Sequence, residues 1–165
     1  MRIYGDTRSG NCYKLQLLLS LLGKTCEWID VDIMKGETRA PSFLEKTPNG
    51  KIPLLELDDG RVLSESNAIM HYLASNTPLI PSSPYSFSQL LQWQFFEQYS
   101  HEPYIAVARY INVYLGLPED RKAEYESKQA GGYRALAVME HQLKTTPFLL
   151  GDMLTLADIS LFAYT

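Results

Sequence analysis

The side chains that could do chemistry begin with the sequence RSGNCYK, which places Ser9, Asn11 and Cys12 just before a leucine-rich run. A helix N-terminus carries roughly half a positive charge and several unpaired amides, so it stabilises an anion such as a thiolate. The simpler interpretation of Ser9 is a helix cap, with Asn11 as a polar residue of the first turn. Cys12 shares an apolar stripe with Leu15 and Leu19, so we expect it to be buried rather than reactive.

A second stretch is NGKIP, residues 49 to 53, in which a proline immediately precedes a strand-like run. If the Ile52–Pro53 peptide bond is cis, Ile52 can turn its backbone amide and carbonyl outward and pair with a peptide-like ligand through two main-chain bonds. The alternative is an ordinary trans-proline that begins an edge strand. The sequence leaves both open.

The third stretch is SESNAI, residues 64 to 69, where a hairpin leads into a helix. Ser66 at the helix start can offer its hydroxyl and nearby amides to a carboxylate, whereas Glu65 can face a cationic amine. Together these groups suit the zwitterionic head of an amino acid. Simple capping by Ser66 is the alternative.

The order of elements in residues 1–75 predicts how these stretches are positioned. Strand patterns at 2–4 and 26–32 flank a helix at 11–22, which indicates a parallel pair with a crossover helix. A weaker helix at 38–46 follows, then an antiparallel hairpin around the turn Asp58-Asp59-Gly60, and a helix at 66–74. The prediction is an α/β domain with a mixed sheet in the order β-α-β-α-β-β-α.

Residues 76–86 are expected to be a linker, because NTPLIPSSP at 76–84 holds three prolines and two serines. Residues 87–165 show only helical periodicity: 87 to about 115 with an interruption near Pro103, 121–143, and a start near Thr155. Thr155 and Asp158 have the spacing of a capping box. Because that last helix has no end signal before Thr165, we expect a chain that is cut inside a helix.

Composition and charge exclude several classes of function. Apolar residues make up 45% of the 165 positions, and the net charge of −4 with scattered Lys and Arg residues predicts no nucleic-acid partner. The longest strongly apolar run, 15–22, is too short to cross a bilayer, so no membrane association is expected. Two cysteines and three histidines, widely spaced, predict no metal site. No secretory signal opens the sequence, so a cytoplasmic location is expected.

The three stretches, in this order and followed by a helical half, resemble the cytosolic glutathione transferases. The resemblance implies a thioredoxin-like N-terminal domain that binds glutathione, an all-helical C-terminal domain for the second substrate, and a homodimer. It also implies residue roles. Pro53 is similar to the family's cis-proline, Ile52 to the residue whose main chain pairs with the cysteinyl part of glutathione, and Lys51 to a ligand of the glycyl carboxylate.

In the same resemblance Glu65 and Ser66 would hold the γ-glutamyl end, and Thr38 falls where some classes place a further glycyl ligand. Ser9 aligns with the catalytic serine of theta-like and zeta-like classes, and Asn11 with a thiol-contacting position of some bacterial classes. The chain therefore looks like a serine-type bacterial enzyme. The electrophile would lie over the helical domain, where the candidate wall residues are Tyr99, Tyr104, Arg109 and Tyr110.

The resemblance leaves three functions open. The first is a transferase that conjugates the glutathione thiolate to small hydrophobic electrophiles. The second is a glutathione-dependent reductase of disulfides or peroxides, because the same thiolate can attack sulfur or oxygen. The third is a binding or scaffold protein that keeps the fold without turnover.

Overall fold

The computed structural model describes all residues from Met1 to Thr165, in two compact units, Met1–Thr77 and Pro78–Thr165. The first unit contains a four-stranded sheet in the order β2-β1-β3-β4. Its strands are β1 (Arg2–Gly5), β2 (Glu27–Asp30), β3 (Leu54–Glu56) and β4 (Val62–Ser64). β1 pairs with β2 in parallel, whereas β3 is antiparallel to both β1 and β4. The mixed sheet and the order of its elements confirm the sequence prediction.

Two helices of the first unit form the predicted crossover and the helix after the hairpin. These are α1 (Gly10–Leu21) and α3 (Ser66–Leu73). Their buried side chains, together with those of β1 and β3, form the core. The apolar residues that are fully buried there are Ile3, Cys12, Leu15, Leu18, Leu54, Leu55, Ile69 and Met70.

The predicted helix at 38–46 is wrong in extent. The chain forms two 3-10 turns, Ile33–Lys35 and Glu37–Arg39, and then a single helical turn, α2 (Pro41–Leu44). Gly36, with a φ of 74°, ends the first turn in a left-handed conformation. Proline disfavours helical backbone in the residue before it, and Ala40 is accordingly extended at φ −61° and ψ 140°. A continuous helix over 38–46 is therefore interrupted at Ala40.

The second unit is all-helical, as the sequence predicts. Its helices are α4 (Pro84–Phe96), α5 (Glu102–Arg109), α6 (Lys122–Leu143) and α7 (Leu156–Phe162). α4 begins three residues before the predicted start at Phe87. π-helical turns at Glu97–His101 and Tyr110–Tyr114 follow α4 and α5. The first of these turns ends two residues before Pro103, which has no N–H to donate to the helical hydrogen bonds.

Close packing of α5 on α6 depends on Gly131. A Cβ atom there would lie 2.1 Å from the ring of Tyr104, so the tyrosine ring lies directly against the backbone of α6. At the start of α7, Thr155 and Asp158 form the predicted capping box. No helix in either unit combines the length and the apolar character needed to cross a bilayer.

Glu56 on β3 is the centre of a polar cluster on the sheet. Its carboxylate accepts hydrogen bonds from Tyr4 Oη at 2.6 Å and from Lys46 Nζ at 2.7 Å, while Arg2 lies at 3.6 Å. The Glu56 side chain is only 14% exposed. The hydrogen bond from Lys46, followed by that from Tyr4, lowers the pKa of Glu56. The ionised form of Glu56 therefore stabilises the folded chain.

We predict that Glu56→Gln lowers the free energy of unfolding at pH 7 by about 1.5–3 kcal/mol, the size of a hydrogen bond to a charged group. Because the pKa of Glu56 is lowered on folding, this contribution is present above the unfolded pKa of about 4.3 and is lost as the pH falls through the folded pKa. Urea unfolding of both proteins at pH 7 and pH 3 measures it.

The matched control is Glu27→Gln, which removes an exposed partner of the same Arg2. Exposed pairs contribute little, so this change should stay within about 0.5 kcal/mol. Equal effects of the two substitutions at pH 7 would contradict the role given to Glu56.

Candidate functional site

Strand pairing brings the three sequence stretches to one edge of the sheet. In the register, Tyr4 lies opposite Leu54, and Leu54 lies opposite Ser64. Because β3 is antiparallel to both neighbours, the ends of β1 and β4 share an edge with the start of β3. The segments that follow Gly5 and Ser64, and the one that precedes Leu54, therefore meet at that edge.

Ser9 is the N-cap of α1. Its backbone is extended, and its side-chain oxygen accepts a hydrogen bond from the Cys12 amide at 3.4 Å. The predicted capping role is confirmed. A hydroxyl that accepts one bond keeps its own proton for donation, so capping does not prevent Ser9 from donating to an anion.

Cys12 is fully buried, as predicted, within the apolar stripe of α1. Burial raises the pKa of its thiol to about 11, which outweighs the opposing effect of the Ser9 hydrogen bond. A thiol with that pKa is protonated at neutral pH and is a poor nucleophile. The RSGNCYK turn therefore contains no reactive thiol of its own.

The Ile52–Pro53 peptide bond is cis. The side chain of Ile52 packs against a cluster formed by Val31, Phe43 and Leu54. Its backbone amide and carbonyl form no hydrogen bond within the chain, since Ile52 precedes β3 and lies outside both antiparallel ladders. Ile52 is therefore fixed by its side chain while its main chain can pair with a ligand.

Glu65 has an unusual backbone for a residue with a side chain, at φ 68° and ψ 114°. Its carboxylate is exposed and has no hydrogen bond or ion pair. Such conformations cost about 1–3 kcal/mol and occur where the surroundings fix them, often at functional sites. Lys51 is likewise exposed and has no ionic partner. The edge therefore carries one unpaired anion and one unpaired cation.

Ser66 is buried at the start of α3 and joins two residues of α1. Its Oγ donates to Asn11 Oδ1 at 3.1 Å and accepts from Lys14 Nζ at 3.4 Å. Sequence reasoning found Ser66 and Asn11 but missed Lys14, which is fully buried. One signal could have found it: in a helix Lys14 shares a face with Leu18, four residues on, so it belongs to the buried stripe.

The remaining candidates are placed differently. Thr38 is buried in a 3-10 turn. In the helical unit, Tyr104 and Arg109 line a cleft of about 500 Å³ between α5, α6 and the residues that follow α7. Tyr99 is 87% exposed, and Tyr110 packs against Tyr114 with ring centroids 5.3 Å apart, so neither lines that cleft. No three metal-ligating side chains cluster in either unit.

Family models match both units. The N-terminal domain model of glutathione S-transferase matches residues 3–85, and the C-terminal domain model of glutathione S-transferase matches residues 93–165. The chain belongs to the glutathione S-transferase family. The thioredoxin-like fold and the helical second domain of this family member are thereby confirmed, whereas its class within the family is not.

Solved structures agree with this assignment. A glutathione S-transferase from Pseudomonas fluorescens is 58% identical, with a TM-score of 0.97 over 99% of this chain and 81% of that one. A fungal family member, glutathione transferase URE2P6 from Phanerochaete chrysosporium, was solved in complex with oxidized glutathione. It is 31% identical, with a TM-score of 0.86 over 99% of this chain and 76% of that one.

The chain is also similar in sequence to curated proteins that are not named glutathione S-transferases. Elongation factor 1-gamma of Danio rerio is 40% identical over 126 residues, and that of Homo sapiens is 38% identical over the same length. These matches cover 76% of this glutathione S-transferase family member but only 28% of each elongation factor. The family fold is therefore shared with proteins of quite different total length.

We predict that Glu65→Gly raises the free energy of unfolding by about 1 kcal/mol. Glycine adopts positive φ without the steric cost, and this gain exceeds the roughly 0.5–1 kcal/mol by which a flexible glycine favours the unfolded chain. The exposed Glu65 side chain has no contact to lose. Thermal or urea unfolding of the unliganded protein measures the change.

Asn76→Gly is the matched control, because Asn76 also has a positive φ, of 63°, but asparagine tolerates this region. We expect little change there. A Glu65→Gly protein less stable than the parent would show that the backbone at this position is not strained.

Proposed function

We propose that the protein is a glutathione transferase that conjugates the thiolate of glutathione to small hydrophobic electrophiles. The observation that carries this proposal is the backbone of Ile52, which is fixed beside a cis-proline at a sheet edge and forms no hydrogen bond within the chain. A peptide placed there would gain two main-chain hydrogen bonds by strand addition.

The charges at the edge match the ends of glutathione. The tripeptide has an amino-acid head at its γ-glutamyl end and a carboxylate at its glycyl end. In the proposed pose Lys51 meets the glycyl carboxylate and Glu65 meets the ammonium group. The backbone amide of Ser66, with the other first amides of α3, meets the second carboxylate. Ile52 then pairs with the cysteinyl residue between the two ends.

The thiol of that cysteinyl residue would lie near Ser9 and Asn11 at the start of α1. A model thiol has a pKa near ~8.5, and each unit by which it falls requires about 1.4 kcal/mol of preference for the anion. A bond from the Ser9 hydroxyl, one from Asn11 and the α1 dipole could each give about 1 kcal/mol. We therefore assign Ser9 and Asn11 as donors to the thiolate, in a serine-type enzyme. The attacking sulfur belongs to glutathione.

The electrophile is the part of the proposal that rests on the helical unit. Tyr104 and other tyrosines line its cleft together with Arg109, Lys128 and Gln129, which suits an aromatic compound that also carries polar groups. Reduction of a disulfide is a related reaction of the same thiolate. Because a family member was solved with oxidized glutathione, disulfide reduction is the first reaction to compare with conjugation.

A second candidate function is binding without turnover. It is favoured by one observation, the 38–40% identity to elongation factor 1-gamma across most of this chain. In such a protein the fold would serve as an interaction module. Unpaired Glu65 and Lys51 and the unbonded Ile52 backbone are better explained by a small peptide ligand.

We also propose a homodimer in the cytoplasm. α4 exposes two aromatic side chains, Tyr85 at 74% and Phe95 at 68%, and Tyr99 follows in the next turn at 87%. Exposed aromatic residues in such number are typical of protein interfaces. A second copy of this chain is the partner that the family resemblance implies.

Purified protein separates these functions. Retention on immobilised glutathione, with elution by free glutathione, is expected for both enzymatic functions. An aryl halide assay then measures transferase activity and a mixed-disulfide assay measures reductase activity. Retention with neither activity would favour the binding module, and failure to bind glutathione at all would overturn the proposal.

In the same assays we expect Ser9→Ala to raise the pKa of bound glutathione by about 0.7 unit and to slow turnover about threefold at pH 6.5, because one donor to the anion is lost. Cys12→Ala is the control and should keep its activity, since that thiol is buried and protonated. Full activity in Ser9→Ala together with its loss in Cys12→Ala would reverse the assignment.

A further inference from the structure

Lys14 is a fully buried charged residue of the first unit whose burial the proposed function does not yet explain. It lies on α1 with no exposed surface, and its ammonium is 3.4 Å from the hydroxyl oxygen of Ser66. Ser66 Oγ lies 3.1 Å from Asn11 Oδ1. A chain of hydrogen bonds therefore runs from a buried cation to a residue at the start of α1.

The direction of this chain is set by its charged end. An ammonium has three donors and no acceptor, so the oxygen of Ser66 must accept from Lys14. The hydroxyl proton of Ser66 is then directed to a different acceptor, and Asn11 Oδ1 is the one within reach. With its carbonyl oxygen turned toward Ser66, the Asn11 carboxamide has its NH₂ group on the opposite branch.

The two orientations of Asn11 differ in what they offer a sulfur anion. Oxygen and nitrogen of a carboxamide have nearly the same shape, and the hydrogen-bond network decides which is where. In one orientation the NH₂ group donates to the anion. In the other the carbonyl oxygen faces it and repels it.

We propose that Lys14 is a positioning residue that acts through Ser66 to fix the carboxamide of Asn11 with its NH₂ group toward the glutathione thiolate. This inference rests on the proposed function. Lys14 does not touch the glutathione, and it donates no proton to it. It selects which end of Asn11 is presented.

Stability alone does not account for a lysine here. Replacing a buried ion by an apolar side chain of similar length is often neutral or stabilising, because the ion must be removed from water. A methionine would fill the same space in the stripe of α1. What a methionine would not provide is the donor to Ser66.

The test compares Lys14→Met, Lys14→Arg and the parent by the absorbance of bound glutathione thiolate near 240 nm as a function of pH. We expect Lys14→Met to raise the pKa of the bound thiol by at least half a unit. This lowers kcat about twofold or more at pH 6.5 and leaves it nearly unchanged at pH 9. Lys14→Arg keeps a donor and should stay near the parent.

Charge by itself is controlled by Lys35→Met, which removes one exposed positive charge of the same unit and should not move the thiol pKa. The other charged groups around the site are Lys51, Glu65 and the pair of Arg8 with Asp6, and all of them are the same in every variant. A difference in the pKa of the bound thiol between variants is therefore due to the change at Lys14.

A second comparison repeats Lys14→Met in an Asn11→Ala background. If Lys14 acts through Asn11, the substitution no longer changes the thiol pKa there. The inference would be overturned if Lys14→Met raised the thiol pKa equally in the Asn11→Ala background. It would also be overturned if the parent bound and ionised glutathione but Lys14→Met alone did not change the thiol pKa. Absence of glutathione binding in the parent would instead overturn the proposed function. If Lys14→Met does not fold, Lys14→Leu carries the same test, because it also removes the donor to Ser66 and leaves an apolar side chain in the stripe of α1.

Discussion

The antiparallel pairing of β3 with β1 is the constraint on which the candidate site depends. It places the start of β3 beside the end of β1, and the hairpin to β4 then brings the segment before α3 to the same edge. Ile52, Glu65 and the first turn of α1 are far apart in sequence and meet only because of this register. A shift by one residue would turn Leu54 and Leu55 out of their places in the core and move Ile52 from the cluster that holds it.

Much of this arrangement could be predicted from the sequence, because local patterns specify it. The strand-helix-strand order, the hairpin at Asp58-Asp59-Gly60, the capping box at Thr155 and the burial of Cys12 all follow from periodicity and turn residues. The extent of the helix expected at 38–46 could not be predicted correctly, because the extended backbone that Pro41 favours at Ala40 outweighed a weak apolar pattern. Lys14 was missed for a related reason: residue type suggested a solvated side chain, whereas its place on the buried stripe of α1 decided its environment.

The positive φ of Glu65 was also beyond sequence reasoning, since nothing in SESNAI requires it. The strained backbone of Glu65 lowers the stability of the fold, and its carboxylate makes no contact within the chain that would offset this cost. In the proposed function the stabilising contact is made by the ligand, whose ammonium pairs with Glu65. The same view applies to the unbonded backbone of Ile52 and to unpaired Lys51. These three features are the ones that the proposed function explains by a bound ligand, and they bear on a chain similar both to transferases and to elongation factor 1-gamma.

The central claim is that this sheet edge binds glutathione and holds it as a thiolate. Calorimetric titration at pH 7 in buffers of different ionisation enthalpy tests it most directly, because it counts the protons released on binding. A free thiol with a pKa near ~8.5 is mostly protonated at this pH. The account therefore predicts release of about one proton per glutathione bound, and none with S-methylglutathione. Binding of glutathione without proton release, or no binding, would contradict it.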